Sequence, residues 1–264
     1  VTDLASVLAD LRAESAELES LVVGLDAPGL ATPTPAPGWT VAHQLSHLCW
    51  TDQQAVWAAT DPAGFSAHYQ HISPEQLGER VEAGAAEGVG RPPADLLADW
   101  RAGRDALADA LRALPADTRV VWFGPAMSPT SMATARLMET WAHGQDIADA
   151  LGRRRRPTAR LRHVAHLGVR TFGHAFRTHG QPVPDEPVRV ELRGPDGESW
   201  TWGPTEAANR VTGPALDFCL LVTQRRHRDD LGVRAQGEIA TRWLALAQAF
   251  AGPPGPGRTP GQFS

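Results

Sequence analysis

Glu139 and His143 are four residues apart in a segment of helical periodicity, so their side chains lie one turn apart on one face and could share an ion. Asp146 continues that face one turn further. His47 lies in another helical segment, among Leu45, Leu48 and Trp50. If both segments turn these residues inward, a His, Glu, His set converges inside a bundle, where helical folds commonly build metal sites. Mixed nitrogen and oxygen donors suit zinc or another divalent transition metal. Three protein ligands leave positions open for water or substrate, a catalytic rather than a structural arrangement. The plainer reading of Glu139 and His143 is a hydrogen-bonded surface pair.

The other chemically capable residues have weaker spacing. His163 and His166 could ligate from one helix, but Arg160, Arg162 and Arg170 would repel a cation, which favours a solvated face. His68 and His71 could line an entrance, and His174 and His179 have no partner spacing. His43 precedes His47 by four residues and reads as an extra ligand, a support for one, or a core histidine. Cys49 is a nucleophile candidate or, more commonly beside Leu48 and Trp50, a small core residue. Trp141 and the segment 127–131 could wall a pocket or simply pack.

Composition removes whole reaction classes. All 25 basic residues are arginine, which excludes lysine Schiff bases, pyridoxal phosphate chemistry and a P-loop. Tyr69 is the single phenol. GxSxG, HExxH, CxxC and GxGxxG are absent. A net charge of -5 gives no global field for nucleic acid, so small molecules are the expected partners. Two distant cysteines point to a reducing cytoplasm. The acidic, amphipathic start and the lack of any long apolar run predict neither an export signal nor a membrane span.

The elements that must hold these residues follow from periodicity. Leu4, Val7, Leu8, Leu11, Leu18, Leu21, Val22 and Leu25 mark one helix. Thr40 is the expected N-cap of a second, running to about Ala59. Residues 61–93 read as largely irregular, with a short-helix start at Ser73, Pro74, Glu75 and Gln76. Leu96 to Leu114 gives a third helix and Ser131 to Leu151 a fourth, closed by Gly152. Together they describe a four-helix bundle. The basic run Arg153 to Arg156 marks a boundary, after which Leu161 to Arg177 reads as one helix. A hairpin is predicted from Val188 to Leu192 and Ser199 to Trp202, then helices over Gly213 to Val222 and Gly237 to Phe250. The fold class is therefore α+β: a bundle over 1–155, a smaller α+β domain over 156–252, and a Gly/Pro-rich flexible tail over 253–264.

Three segments, PAPGWTVAHQLSHLCWTD (35–52), ARLMETWAHGQDIADALG (135–152) and the region from Val211 to Phe250, resemble the mycothiol-dependent maleylpyruvate isomerase family. Its members look like a DinB-type four-helix bundle followed by a small α+β domain. The resemblance, carried by HLxxxD and ExxxHxxD patterns, implies that His47, Glu139 and His143 hold a metal, usually zinc, and that Asp146 orients a ligand or bound water. It also implies an arginine from the second domain. Arg225 is the first choice and Arg226 the next, because Gln224 replaces the glycine usual before it. The implied activity is isomerisation or S-transfer, in which mycothiol attacks a small electrophile as a metal-activated thiolate and Arg225 clamps a substrate carboxylate. Alternatives are a thiol-independent lyase, cyclase or hydrolase, or a non-enzymatic metal- or ligand-sequestering protein that confers self-resistance. Either a monomer or a homodimer is compatible.

Overall fold

The computed structural model describes residues 3–255 and 257–263, and the chain divides into two compact units, Val1–Arg155 and Arg156–Ser264. The first unit is helical. Its α1 (Leu4–Val22) starts where the Asp3 carboxylate accepts from the Ser6 N–H at 2.8 Å, and it buries Val7, Leu8, Leu11, Leu18 and Val22 along one stripe. The apolar spacing carried on to Leu25, but the helix stops at Val22; Gly24, at φ 86°, turns the chain into the single-turn α2 (Ala27–Leu30).

The second long helix, α3 (Val41–Thr60), has Thr40 at its N-cap, and the contact that closes the cap is the His43 ring, whose Nδ1 accepts from the Thr40 N–H at 3.2 Å. The expected irregular stretch instead folds as α4 (Pro62–Tyr69) and α5 (Pro74–Ala86). Each opens on proline in its first turn, with Asp61 and Ser73 as caps, the second being the start expected from the sequence; α4 is only eight residues long and buries Phe65 alone, too little to show a stripe. The bundle is completed by α6 (Pro93–Ala113) and α7 (Pro129–Ala150), with Ser128 capping α7 and Gly152, at φ 62°, following its end.

Leu18, Leu45, Leu48, Leu96, Trp100 and Ile147 form the core between α1, α3, α6 and α7. A helix buried on most of its circumference belongs at the centre of a bundle, and α7 is one. Its buried residues include Arg136, Thr140, His143 and Asp146, while α3 buries Gln44, His47, Thr51 and Asp52. Buried polar side chains need partners, and Arg136 finds Asp52 and Thr51, and His143 finds Gln44, across these two helices.

The second unit opens with two helices where periodicity implied one: α8 (Leu161–Arg170) and α9 (Phe172–Thr178) break at Thr171. The predicted hairpin, β1 (Val188–Arg193) and β2 (Ser199–Trp202), is antiparallel with Leu192 opposite Trp200. Two unexpected strands enlarge it: β3 (Asn209–Pro214) runs parallel to β1, and β4 (Arg234–Gln236) pairs antiparallel with β3, in the order β2-β1-β3-β4. Gly213 and Pro214 thus belong to a strand, and α10 begins at Ala215 (Ala215–Val222); α11 (Glu238–Leu246) is shorter than its apolar pattern. Phe176, Val190, Trp200, Val211, Phe218 and Trp243 fill this core. In the C-terminal segment, read above as a flexible tail, the Gly261 N–H donates to Asp230 and the Phe263 ring lies 3.8 Å from the Arg226 guanidinium.

Candidate metal centre

His47 on α3 and Glu139 and His143 on α7 each offer a ligand atom, and these atoms lie within 4.8 Å of one another. Nε2 of His143 is 3.1 Å and Nε2 of His47 3.7 Å from Oε2 of Glu139. Both histidines are only 8% exposed. Burial alone would raise the Glu139 carboxyl, but hydrogen bonds from His143 and His47, with the charge of Arg136, hold it well below the usual carboxylate range. An ionised oxygen between two imidazole nitrogens fits a divalent transition metal.

The surroundings fix these groups. The Nδ1 of His143 is hydrogen-bonded to Oε1 of Gln44. Nδ1 of His47 is buried with no hydrogen-bond partner among the described residues. The Trp39 ring lies 5.2 Å from the His47 ring and 6.0 Å from that of His143, and its indole N–H donates to Glu82 at 2.9 Å. One turn before Glu139, Arg136 donates to Asp52 at 2.8 Å and to Thr51 at 2.6 Å; the Thr51 hydroxyl donates in turn to the His47 carbonyl at 2.7 Å. Asp52, the acid of the HLxxxD pattern, therefore pins an arginine whose charge adds to the histidine hydrogen bonds that hold Glu139 ionised.

Gln44, Trp39 and Arg136 escaped the sequence reading. For Gln44 a signal existed: a polar residue three positions before His47, flanked by Val41, Ala42 and Leu45, has to find a buried partner. Arg136 and Trp39 carried no comparable mark.

The remaining candidates lie elsewhere. Asp146 is buried on α7 and is not one of the three clustered donors. Cys49 is buried in the bundle core, and its thiol is pushed up to about 11 by burial and then by Asp52, which removes it as a thiolate nucleophile at neutral pH. His43 serves the α3 cap. His68 receives Arg80 at 2.9 Å, and His166 receives the Trp202 indole N–H at 3.1 Å. Trp141 is buried with the Arg155 guanidinium 5.9 Å from its ring, and Met127 pairs with Val120 through backbone bonds.

Arg225 and Arg226 follow α10. Gln224 takes a left-handed φ of 57°, and the N–H groups of Gln224 and Arg225 return to the carbonyls of Leu221 and Leu220 at 2.9 and 2.8 Å. This Schellman arrangement explains why glycine suits position 224. Arg225 donates to the Thr223 carbonyl at 2.6 Å and Arg226 to that of Arg225 at 2.7 Å.

Comparison with known proteins bears on both units. Residues 184–235 match the family described as wyosine base formation. Two uncharacterised proteins of Mycobacterium tuberculosis, from strains CDC 1551 / Oshkosh and ATCC 25618 / H37Rv, are each 55% identical over 98% of this chain and 100% of their own length. Two crystal structures of the mycothiol-dependent maleylpyruvate isomerase, one a point mutant, share the fold: TM-scores are 0.60 and 0.57 and identities 18% and 17%, with 89% of this chain and 93% of theirs covered. Residues 11–148 match the mycothiol maleylpyruvate isomerase N-terminal domain, and the chain belongs to that family.

Proposed function

We propose that this protein is a divalent-metal enzyme of the mycothiol-dependent isomerase or S-transferase type, acting on a small electrophilic, anionic substrate. The observation that carries this reading is the convergence of His47, Glu139 and His143 inside the bundle, with Glu139 held ionised. Zinc is the metal we assign, and when bound it would lower the pKa of a coordinated thiol so that a thiolate is present at neutral pH. The protein's own residues do the rest. Glu139 supplies a fixed negative charge, Gln44 orients the His143 ring, and the Asp52–Arg136 pair holds the α3–α7 interface that sets the spacing of the donors. Trp39 covers the two imidazoles and limits the approach of water. Asp146 orients a ligand or bound water, and Arg225 receives a substrate carboxylate, for which a guanidinium offers two parallel donors. Family membership supports the reading, as does the likeness in fold to an isomerase that is itself mycothiol-dependent.

The test is metal stoichiometry by elemental mass spectrometry on untagged wild type, His47→Ala and His143→Ala, followed by a thiol-dependence assay. About one zinc per chain in wild type and little in either variant is expected. Full occupancy in His143→Ala would overturn the ligand set.

A further inference from the structure

The strand register puts alternate residues of β1 to β4 on one face of the sheet. Val190, Leu192, Trp200 and Val211 point to the core. On the opposite face, Arg193 stands beside Ser199, Glu191 between Thr201 and Thr212, Arg189 beside Arg210, and Arg234 beside Thr212. Four guanidinium groups thus share the strands of this face with one carboxylate, in a chain whose net charge is -5. Like charges at neighbouring sheet positions repel, and Glu191 offsets only part of the repulsion. Its Oε1 accepts from Arg189 Nε at 3.0 Å and lies 3.4 Å from Arg210. Arg189 and Arg210 are further tied to the carbonyls of Gly203 and Thr205. Arg193 and Arg234 are exposed, and neither guanidinium has a hydrogen-bond or ion-pair partner among the described residues.

These two arginines flank an open cavity of about 660 Å³ at one end of the sheet, a volume that suits a small molecule. The parallel strands β1 and β3 end there side by side, and the chain leaves towards β2 from one and into α10 from the other. Such a divergence opens a crevice of the kind in which sheets with parallel strands seat ligands. Arg193 is paired with Pro214 and Arg234 with Thr212, so their Cα atoms lie two strand spacings and two residues apart, about 12 Å. Ser199 and Thr212 bring hydroxyls to the same cavity, and Gly213 and Gly232 leave its floor free of side chains. The carboxylates nearby, Glu198 and Asp217, are taken up by the N–H groups of Asp196 and Gly232 at 3.1 and 2.7 Å. We propose that this cavity binds the diphosphate group of a small molecule, one end on Arg193 and the other on Arg234, with the Ser199 and Thr212 hydroxyls donating to the remaining oxygens. A single phosphate or carboxylate fills one guanidinium fork, whereas a diphosphate presents oxygens to both from between them. The site shares no residue with the metal centre, and its ligand is one that the chemistry proposed there does not require.

The test is calorimetric titration of the full chain with inorganic pyrophosphate, orthophosphate and sulfate at about 0.15 M ionic strength, where weak surface attraction is screened. Pyrophosphate should bind saturably, one per chain, and about tenfold or more tighter than the two single anions, because it gains a second set of charge-assisted hydrogen bonds. Arg193→Gln and Arg234→Gln, both exposed changes that leave the core intact, should each weaken it about tenfold or more, and the double variant should abolish it. Pyrophosphate also ligates divalent metals, so His143→Ala is titrated in parallel and should bind as wild type does. Amide exchange should slow on adding pyrophosphate in residues 191–199, 212–214 and 232–234 and stay unchanged in 41–60. Absence of saturable binding, unchanged affinity in the double variant, or equal affinity for pyrophosphate and sulfate would overturn the proposal, the last by marking a general cationic patch. Binding lost in His143→Ala would overturn it by placing the anion on the metal. A single-stranded RNA oligonucleotide that displaces pyrophosphate and weakens equally when any of the four arginines is neutralised would overturn it in favour of a nucleic-acid surface.

Discussion

Arg136 places a guanidinium at 3% exposure, which a bundle core tolerates only when its donors find partners. Asp52 takes the Nε–H and Thr51 one Nη2–H from α3, and Asp52 is about as buried. Removing one partner of such a pair leaves an uncompensated charge, so Asp52→Asn should cost about 3–5 kcal/mol. The double change Asp52→Leu with Arg136→Met, which removes both charges, should recover most of that loss in stability while still weakening metal binding, because Glu139 loses a neighbour that keeps it ionised. Denaturant unfolding of wild type, Asp52→Asn and the double variant checks the first statement, and zinc titration the second; equal stability of Asp52→Asn and wild type would refute the argument. At this scale the sequence was partly legible. The i,i+4 spacing put Glu139 and His143 on one face, but only the fold brings His47 to them, and spacing is blind to a partner such as Gln44, whose bond to His143 spans 99 residues.

Among elements, the long helices were readable because each pairs an apolar stripe with a local start or stop signal, as α7 does with Ser128, Pro129 and Gly152. The failures have physical causes as well. Strand β3 offers only Val211 to the apolar side before ending in Gly-Pro, and β4 is three residues long; neighbouring strands define both more than their own composition does. The sequence pattern starts helix α10 at Gly213, over the last two residues of β3, for the same reason. Its C-terminal end supports a prediction. Gln224 holds a left-handed conformation that costs a residue with a Cβ about 1–2 kcal/mol. Glycine carries no such cost but loses more chain entropy on folding, so Gln224→Gly should stabilise the second unit by a net of about 1 kcal/mol or less. A small rise in denaturation midpoint is the expected reading. A fall would mean that the Gln224 side chain contributes packing the backbone argument omits.

For the molecule as a whole, α+β class and family membership were both legible, since they depend on the order of long segments and on motifs rather than on exact boundaries. The candidate donors all lie on α3 and α7 of the first unit, whereas the arginine proposed to receive a carboxylate follows α10 in the second, and each unit has its own buried core. A ligand that binds only the folded state adds stability to the structure that holds it, about 2.7 kcal/mol at a free concentration one hundred times its dissociation constant. Zinc should therefore slow amide exchange most in residues 41–60 and 129–150 and leave the sheet from 188 to 214 near its metal-free rate. Arg225→Ala should keep that protection pattern and the wild-type metal content, because nothing it removes holds the ion, while raising KM for an anionic substrate. Hydrogen exchange read by mass spectrometry, on wild type, His143→Ala and Arg225→Ala with and without zinc, separates the two roles. Protection spread evenly over both units would contradict the localisation of the donors. Loss of metal from Arg225→Ala would move that arginine from recognising substrate to supporting the metal centre.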